Sequence, residues 1–217
     1  MKAYEFLTES SNTNLLIIDV QPEYSSHSDY ILAGVQNMIE AVTGGKIVIV
    51  FNDSGGGDDQ HVVYNYLAGF NDFNADAEEY DEEREMWVHK RPKLVQNLTR
   101  ATYLQKEYGF LRPFMDLGIS DAVIIEILRE MYQRKVTDSR EMELTSMSER
   151  VQTEIEQSSA YWDEEGIAIQ SWVPVTLLKQ ISPFYMMGGG RNECLREIEL
   201  ICNAFNIKYK RVDSLIY

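Results

Sequence analysis

The sequence predicts an α/β fold: a three-layer αβα domain around a mostly parallel sheet of five or six strands, with a helical insertion. Short apolar runs at 15–20, 46–51 and 183–187 carry apolar residues on both faces, which is typical of buried parallel strands. Segments with helical spacing separate these runs, and this alternation favours a parallel sheet covered on both faces. A chain of 217 residues fits one domain, 1–217, with an insertion.

The remaining elements follow from local spacing and from residues that begin or end helices. Apolar residues recur at helical intervals in four segments, which we predict to be helices: 30–43, 121–134, 173–181 and 192–205. Gly44-Gly45 ends the first helix, and Ser120 or Asp121 is a suitable N-cap for the second. A more polar helix at 141–158 completes an insertion at about 112–160.

Charged segments predict the less buried parts of the fold. We expect a strand at 99–105 and a final strand at 208–216, the latter at a sheet edge because it carries several charges. The stretch 71–85 is very acidic and is predicted to be an exposed loop or short helix.

Composition limits the classes of partner and compartment. The formal net charge of -15 would be repelled by a phosphate backbone, so nucleic acid and anionic membranes are not expected partners. No apolar run approaches 18 residues and the N-terminus lacks an apolar signal region, so we expect neither a membrane span nor a secretion signal. Cys194 and Cys202, about 12 Å apart along one predicted helix, are too distant for a disulfide, which fits a reducing, cytoplasmic location.

Three residues with reactive side chains fall at strand ends or at a helix start. Asp19 ends the first predicted strand, Lys106 ends the third, and Cys194 begins the helix that follows the fourth. Ligands of open α/β sheets bind outside the carboxyl ends of the strands, where such residues meet. The three residues are therefore the candidate catalytic set.

The chemistry of this set is that of an activated thiol. A helix N-terminus and a nearby ammonium both stabilise a thiolate, so Cys194 is the candidate nucleophile and Lys106 the cation that lowers the pKa of its thiol. Asp19 is the candidate base, which takes the thiol proton and later returns it to the leaving group. The backbone amides of Gly190 and Cys194 are candidate donors of an oxyanion hole.

These motifs resemble those of the isochorismatase-like cysteine hydrolases, a family that includes nicotinamidases. The resemblance lies in the D-x-Q motif Asp19-Val20-Gln21, in Lys106, and in the Gly-rich turn that leads from Gly188 to Cys194. Lys90 and Lys93 are nearby alternatives for the lysine. The resemblance implies hydrolysis of an amide or related C–N bond of a small molecule through a thioester, without a cofactor, by a homo-oligomer.

Nicotinamidase members of that family carry a metal site of the form Asp-x-His with a further His. Asp53 and His61 fit two of these positions, but Gly55 stands where the first His belongs. One acid and one His make a poor site, so no metal is expected.

Four residues are candidates for substrate binding. Tyr108 and Phe110 follow Lys106 closely and are suited to form the wall of a pocket. Arg112 or Arg191 is suited to hold an anionic substrate group, because arginine makes forked bonds to carboxylates.

Other functions remain open on the sequence. A non-catalytic binding or assembly protein on the same fold would explain the altered turn before Cys194 and the inserted helices. A nucleotide binder using the turn at 188–190 is less favoured, because Glu193 occupies the position of the third Gly in G-x-G-x-x-G. None of the three histidines, His27, His61 and His89, lies in a motif of a Cys–His hydrolase.

Overall fold

The computed structural model describes residues 12–52, 59–70, 78–106, 111–142, 148–158 and 172–217. The chain forms two compact units, each assembled from separate segments. The first comprises Met1–Glu107, Pro183–Arg191 and Tyr209–Tyr217, and the second comprises Tyr108–Ser182 and Asn192–Lys208.

A parallel sheet forms the centre of the first unit. The strands of this unit are β1 (Asn14–Ile18), β2 (Ile47–Asn52), β3 (Glu78–Asp81), β4 (Met86–His89), β5 (Thr102–Lys106), β6 (Phe184–Gly188) and β7 (Tyr209–Arg211). Five of them pair in the order β5-β2-β1-β6-β7, and every pairing in this sheet is parallel. The predicted α/β class with a mostly parallel sheet of five or six strands is confirmed.

The central strands are apolar at residues 15–18 and 47–51, where both of their faces are buried. Residues 15–18 of β1 are fully inaccessible, and every residue of β2 is buried. Side chains alternate between the two faces of a strand, so burial of consecutive residues means that both faces are covered. The continuous apolar runs in the sequence predicted this burial.

Three helices of the first unit pack with the sheet around one apolar cluster. They are α1 (Ser25–Ala41), α2 (Asp59–Ala68) and α3 (Pro92–Arg100). The α1 helix contains most of the predicted helix 30–43 and ends before Gly44-Gly45. Neither α2 nor α3 was predicted. The α3 helix includes Thr99 and Arg100, so the strand predicted from 99 begins only at Thr102.

An acidic hairpin replaces the loop or short helix predicted at 71–85. Strands β3 and β4 pair antiparallel, so the prediction is wrong for residues 78–81. Residues 82–85 form the exposed turn between the strands, which agrees with a loop, and 71–77 lie outside the described residues. Tyr80 and Trp87 are opposite each other with ring centroids 5.6 Å apart, and the Asp81 carboxylate accepts the backbone N–H groups of Glu83 and Arg84 in the turn. This cross-strand contact and the turn favour a hairpin over a helix.

The described residues of the second unit form helices. They are α4 (Arg112–Asp116), α5 (Asp121–Arg134), α6 (Glu149–Ser158), α7 (Val173–Ile181) and α8 (Cys194–Ala204). The helices predicted at 121–134 and 173–181 are confirmed, whereas α6 begins at Glu149 rather than at 141. The predicted insertion at 112–160 lies within this unit, which also contains α7 and α8.

Helices α5 and α8 pack against each other through apolar residues and through polar contacts of Arg196 and Arg129. Arg196 of α8 forms an ion pair with Asp121 at 2.6 Å, and Arg129 of α5 donates through Nε to the carbonyl of Ala204 at 2.7 Å. The second contact satisfies a carbonyl at the C-terminus of α8, where a cation is favourable. These contacts hold the helix that begins with Cys194.

The predicted last strand is shorter than expected. Strand β7 stops at Arg211, and Asp213–Leu215 form a 3-10 turn, but β7 lies at an edge of the sheet as predicted. No helix in the described part of the chain is both long and apolar enough to cross a bilayer.

Candidate active site

A buried ion pair joins two of the three predicted catalytic residues, both in the first unit. Asp19 directly follows β1, and Lys106 is the last residue of β5. Lys106 Nζ lies 3.2 Å from Asp19 Oδ2, and the two side chains are 8% and 0% exposed. Lys106 Nζ also donates to Oδ1 of Asn52, the last residue of β2, at 2.7 Å. The carboxyl ends of three adjacent strands thus meet at one charged cluster, and neither Lys90 nor Lys93 takes the place of Lys106.

The backbone of Asp19 is held on both sides in a left-handed conformation. Its φ is 50°, a region that aspartate tolerates better than most residues. Its N–H donates to the Val50 carbonyl at 2.9 Å, and its own carbonyl accepts the hydroxyl of Tyr217 at 2.8 Å. These bonds fix the direction in which the Asp19 carboxylate leaves the strand.

Asn52 and Gln21 belong to this cluster and were not predicted as site residues. Asn52 is 3% exposed, and its Nδ2 donates to the Tyr24 hydroxyl at 2.6 Å. Its backbone N–H donates to Gln21 Oε1 at 3.0 Å, and Gln21 is 1% exposed. The sequence signal for Asn52 is the one that identified Asp19, a polar residue at the end of a buried apolar strand.

The Gly-rich turn after β6 requires glycine at its first position. Gly188 pairs with Ile18 of β1 and has a φ of 77°, and a Cβ there would lie 2.2 Å from the Ile18 carbonyl oxygen. Gly189 also has a positive φ, 70°. Gly190 belongs to the first unit and Cys194 to the second, so the oxyanion hole built from their two amides stays a prediction.

Cys194 is the first residue of α8 in the second unit, as predicted, although the helix begins there rather than at 192. The residue is 5% exposed, and it lines a pocket of about 150 Å³. The pocket is lined by Arg112, Met115, Asp116, Asn192, Glu193, Cys194 and Glu197. The sulfur thus belongs to the first residue of an 11-residue helix and to the wall of a pocket, and its reactivity stays a prediction.

Glu197 is another residue that the sequence argument missed. It lies three positions after Cys194, so both side chains are on one face of α8, and it is 1% exposed. Its Oε1 accepts the backbone N–H of Leu111 at 2.9 Å. The spacing from Cys194 was a usable signal for this residue.

Cys202 provides an internal contrast to Cys194. It is fully buried near the other end of α8, and burial, together with the charge of Glu199, raises the pKa of its thiol to about 12. Both cysteines are thiols and no disulfide joins them, as the spacing predicted. A thiol that does not ionise near neutral pH is inert toward electrophiles.

The two arginines predicted to hold an anionic substrate group are each paired with carboxylates. Arg112 lies 3.3 Å from Asp116 and 3.7 Å from Glu193, and it lines the pocket beside Cys194. Arg191, in the first unit, lies 3.1 Å from Asp213. The other two candidates, Tyr108 and Phe110, lie outside the described residues.

The residues considered for a metal site are only partly described. Asp53 and Gly55 lie outside the described ranges, and His61 is exposed on α2. Within those ranges, no three side chains of His, Cys, Asp or Glu lie close enough together to hold a metal ion.

No family model, no curated protein and no solved structure matches this chain. The likeness to cysteine hydrolases therefore rests on the motifs around Asp19, Lys106 and Cys194.

Proposed function

We propose that the protein is a cysteine hydrolase that cleaves an amide or related C–N bond of a small molecule, with Cys194 as nucleophile. The observation that carries the proposal is the buried Asp19–Lys106 pair, 3.2 Å apart at the carboxyl edge of a parallel sheet. Removing two charges from water costs roughly several kcal/mol per ion. A protein with packed apolar residues in place of the pair would therefore often be as stable as one with the pair. A pair retained at the edge where α/β proteins bind ligands supports a chemical role.

The reaction proceeds in two stages. Asp19 accepts the proton of Cys194 Sγ, the sulfur attacks the carbonyl carbon, and the C–N bond breaks as the departing nitrogen takes up that proton. The product of this stage is a thioester and a free amine or ammonia. Water then adds to the thioester carbonyl, the C–S bond breaks, and the carboxylic acid leaves as the sulfur recovers a proton. Lys106 supplies the positive charge that offsets the thiolate.

The alternative is a non-catalytic binding or assembly protein on the same fold. It is favoured by the mutual pairing of Asp19 and Lys106 and by the bond from Lys106 to Asn52, which together satisfy the charges inside the protein. On this alternative, Cys194 is an ordinary thiol and no C–N bond is cleaved.

Alkylation rates test whether Cys194 is activated. With iodoacetamide at pH 7.5, we expect Cys194 to react at least about a hundredfold faster than Cys202, whose thiol is fully buried and has a pKa raised to about 12. Peptide mass mapping over time measures both rates in one sample. Cys202→Ala is the matched control and should leave the rate at Cys194 unchanged. Rates within tenfold of each other, or no reaction at Cys194, contradict the proposal.

Release of ammonia from a panel of small primary amides tests turnover. Cys194→Ala should abolish any release that the wild type shows, and Cys202→Ala should retain it. Release that survives Cys194→Ala would assign the chemistry to other residues.

A further inference from the structure

The hairpin of β3 and β4 has an exposed aromatic face. Five large apolar or aromatic side chains are exposed among the residues that the structure describes, and three of them, Tyr80, Met86 and Trp87, belong to this hairpin. Tyr80 and Trp87 are 50% and 64% exposed, and they are cross-strand partners, so both rings lie on one face. Tyrosine, tryptophan and methionine are enriched in protein–protein interfaces. The face that carries the two rings is therefore a candidate docking surface.

The geometry of the two rings is suited to a cationic partner. Their centroids are 5.6 Å apart and their planes meet at 68°, which is the edge-to-face arrangement that aromatic pairs favour. Such a pair covers one face of only one ring, and both side chains are at least half exposed, so a partner can reach ring faces. A lysine or arginine over the face of tryptophan or tyrosine is attracted by the ring electrons, most strongly by those of tryptophan.

The same hairpin is strongly acidic. Residues 78–89 contain one arginine, no lysine and six carboxylates, namely Glu78, Glu79, Asp81, Glu82, Glu83 and Glu85. All of these carboxylates except Asp81 belong to exposed residues. Arg84 lies 3.4 Å from Asp81 and offsets one charge. A partner that covers the rings would bring its own charges close to the other carboxylates, so its charge must be positive.

The basic residues next in sequence lie at the end of the hairpin opposite to its turn. Lys90 and Lys93 follow the four-residue strand β4, which spans about 13 Å, whereas exposed charges are screened over roughly 8 Å at physiological salt. Arg91 is already paired with Glu40 at 2.7 Å. The segments outside the described ranges contain a single lysine or arginine, Lys2, so their composition cannot neutralise the turn.

The open end of the hairpin is anchored to the first unit through His89. Its Nε2 donates to the Ala68 carbonyl at 2.8 Å, and its Nδ1 accepts the backbone N–H of Arg91 at 2.9 Å. Its ring also contacts Phe70 edge-on, with centroids 4.9 Å apart. An anchored hairpin that already has its rings in place loses little conformational freedom when a partner binds.

We propose that this hairpin docks an arginine-rich segment of a protein partner, with Tyr80 and Trp87 as the aromatic contact and the carboxylates of 78–85 as counter-charges. Arginine suits both parts of the surface, because its guanidinium plane stacks on aromatic rings and its N–H groups bond carboxylates in pairs. A second copy of the chain does not suit it, since each copy has a formal net charge of -15. The proposal is independent of Cys194 and of the hydrolase.

The experiment compares three octapeptides that alternate glycine with arginine, lysine or glutamate. Each carries fluorescein, and its Kd for the full chain is measured by fluorescence anisotropy at constant ionic strength. We expect the arginine peptide to bind at least about fivefold more tightly than the lysine peptide, and the glutamate peptide not to bind. The chain labelled with 5-fluorotryptophan locates the contact: the ¹⁹F resonance of Trp87, assigned with Trp87→Phe, should shift on addition of unlabelled arginine peptide.

Two pairs of variants separate the hairpin from the general charge of the protein. Glu82→Gln/Glu83→Gln in the turn should weaken binding of the arginine peptide at least about threefold, whereas Glu141→Gln/Glu149→Gln, which removes two exposed charges of the second unit, should change the Kd by less than about twofold. Trp87→Leu should weaken binding at least about fivefold. Tyr30→Leu removes another exposed ring, 89% exposed on α1, and should leave the Kd unchanged.

The other outcomes overturn the proposal. They are no binding of the arginine peptide, equal binding of the arginine and lysine peptides, binding of the glutamate peptide, and binding without a shift of Trp87. Equal effects of the two double variants would assign the attraction to net charge alone. The charge variants decide the question even if Trp87→Leu disturbs the hairpin, because the side chains of Glu82 and Glu83 are exposed in the turn.

Discussion

Lys106→Met is expected to lower the free energy of unfolding by about 3–5 kcal/mol, because it leaves the Asp19 carboxylate buried without its cation. Both side chains are almost inaccessible to water, and Lys106 Nζ also serves Asn52 Oδ1. Methionine keeps the length and apolar stem of lysine, so loss of packing contributes little. Urea unfolding followed by circular dichroism at pH 7 measures the change.

The double variant Asp19→Asn/Lys106→Met is the control for this experiment. It removes both charges, so we expect it to recover most of the stability that Lys106→Met loses, with a coupling energy of about 2 kcal/mol or more in the double-mutant cycle. A loss below about 1 kcal/mol for Lys106→Met alone would mean that water reaches the pair.

The double variant also separates the hydrolase from the binding protein. A stable double variant without amide hydrolysis assigns the pair of Asp19 and Lys106 to chemistry. A stable double variant with unchanged hydrolysis assigns the pair to structure alone.

Gly188→Ala is expected to destabilise the protein by about 3 kcal/mol or more, through two separate costs. Its φ of 77° is unfavourable for alanine, and the new Cβ would lie 2.2 Å from the Ile18 carbonyl oxygen. That oxygen belongs to the backbone of β1 and cannot rotate away, so β1 and β6 would have to separate at this point. Thermal unfolding followed by circular dichroism reports the loss.

Gly118→Ala isolates the contact from the conformational cost. Gly118 has a similar φ of 73°, but a Cβ there would meet no atom of the described residues within 4 Å. We expect this variant to lose about 1–2 kcal/mol, the cost of a left-handed alanine alone. Equal losses of stability in the two variants would show that the close approach of β6 to β1 at Gly188 adds nothing to the cost of the substitution.

The buried strands and the helices α1, α5, α7 and α8 could be predicted because each has a local signal in the sequence. Residues 15–18 and 47–51 are apolar on both faces, and the helix at Asp121–Arg134 has regular apolar spacing. The short helices α2 and α3 lack such a signal: α3 buries only Leu94 and Leu98. The hairpin was missed because acidic residues occupy half of its positions, and its contact between Tyr80 and Trp87 forms only after the strands pair.

The pairing of Asp19 with Lys106 followed from a general property of parallel sheets, since their carboxyl ends meet at one edge. The network through Gln21, Asn52 and Tyr24 could not be predicted in the same way. It depends on the register between β1 and β2, which brings together groups 31 residues apart. The spacing of apolar residues also predicted the insertion at 112–160. It did not predict that α7 and α8 belong to the same unit as the insertion.

The order of the two units along the chain limits which fragments of the protein can be studied separately. The chain passes from one unit to the other after Glu107, Ser182, Arg191 and Lys208, so neither unit is a continuous stretch of the polypeptide. A fragment cut after Glu107 would lack β6 and β7, and β1, with its apolar residues 15–18, would become an open edge prone to aggregation. Neither unit can therefore be exchanged by swapping one continuous segment of the chain.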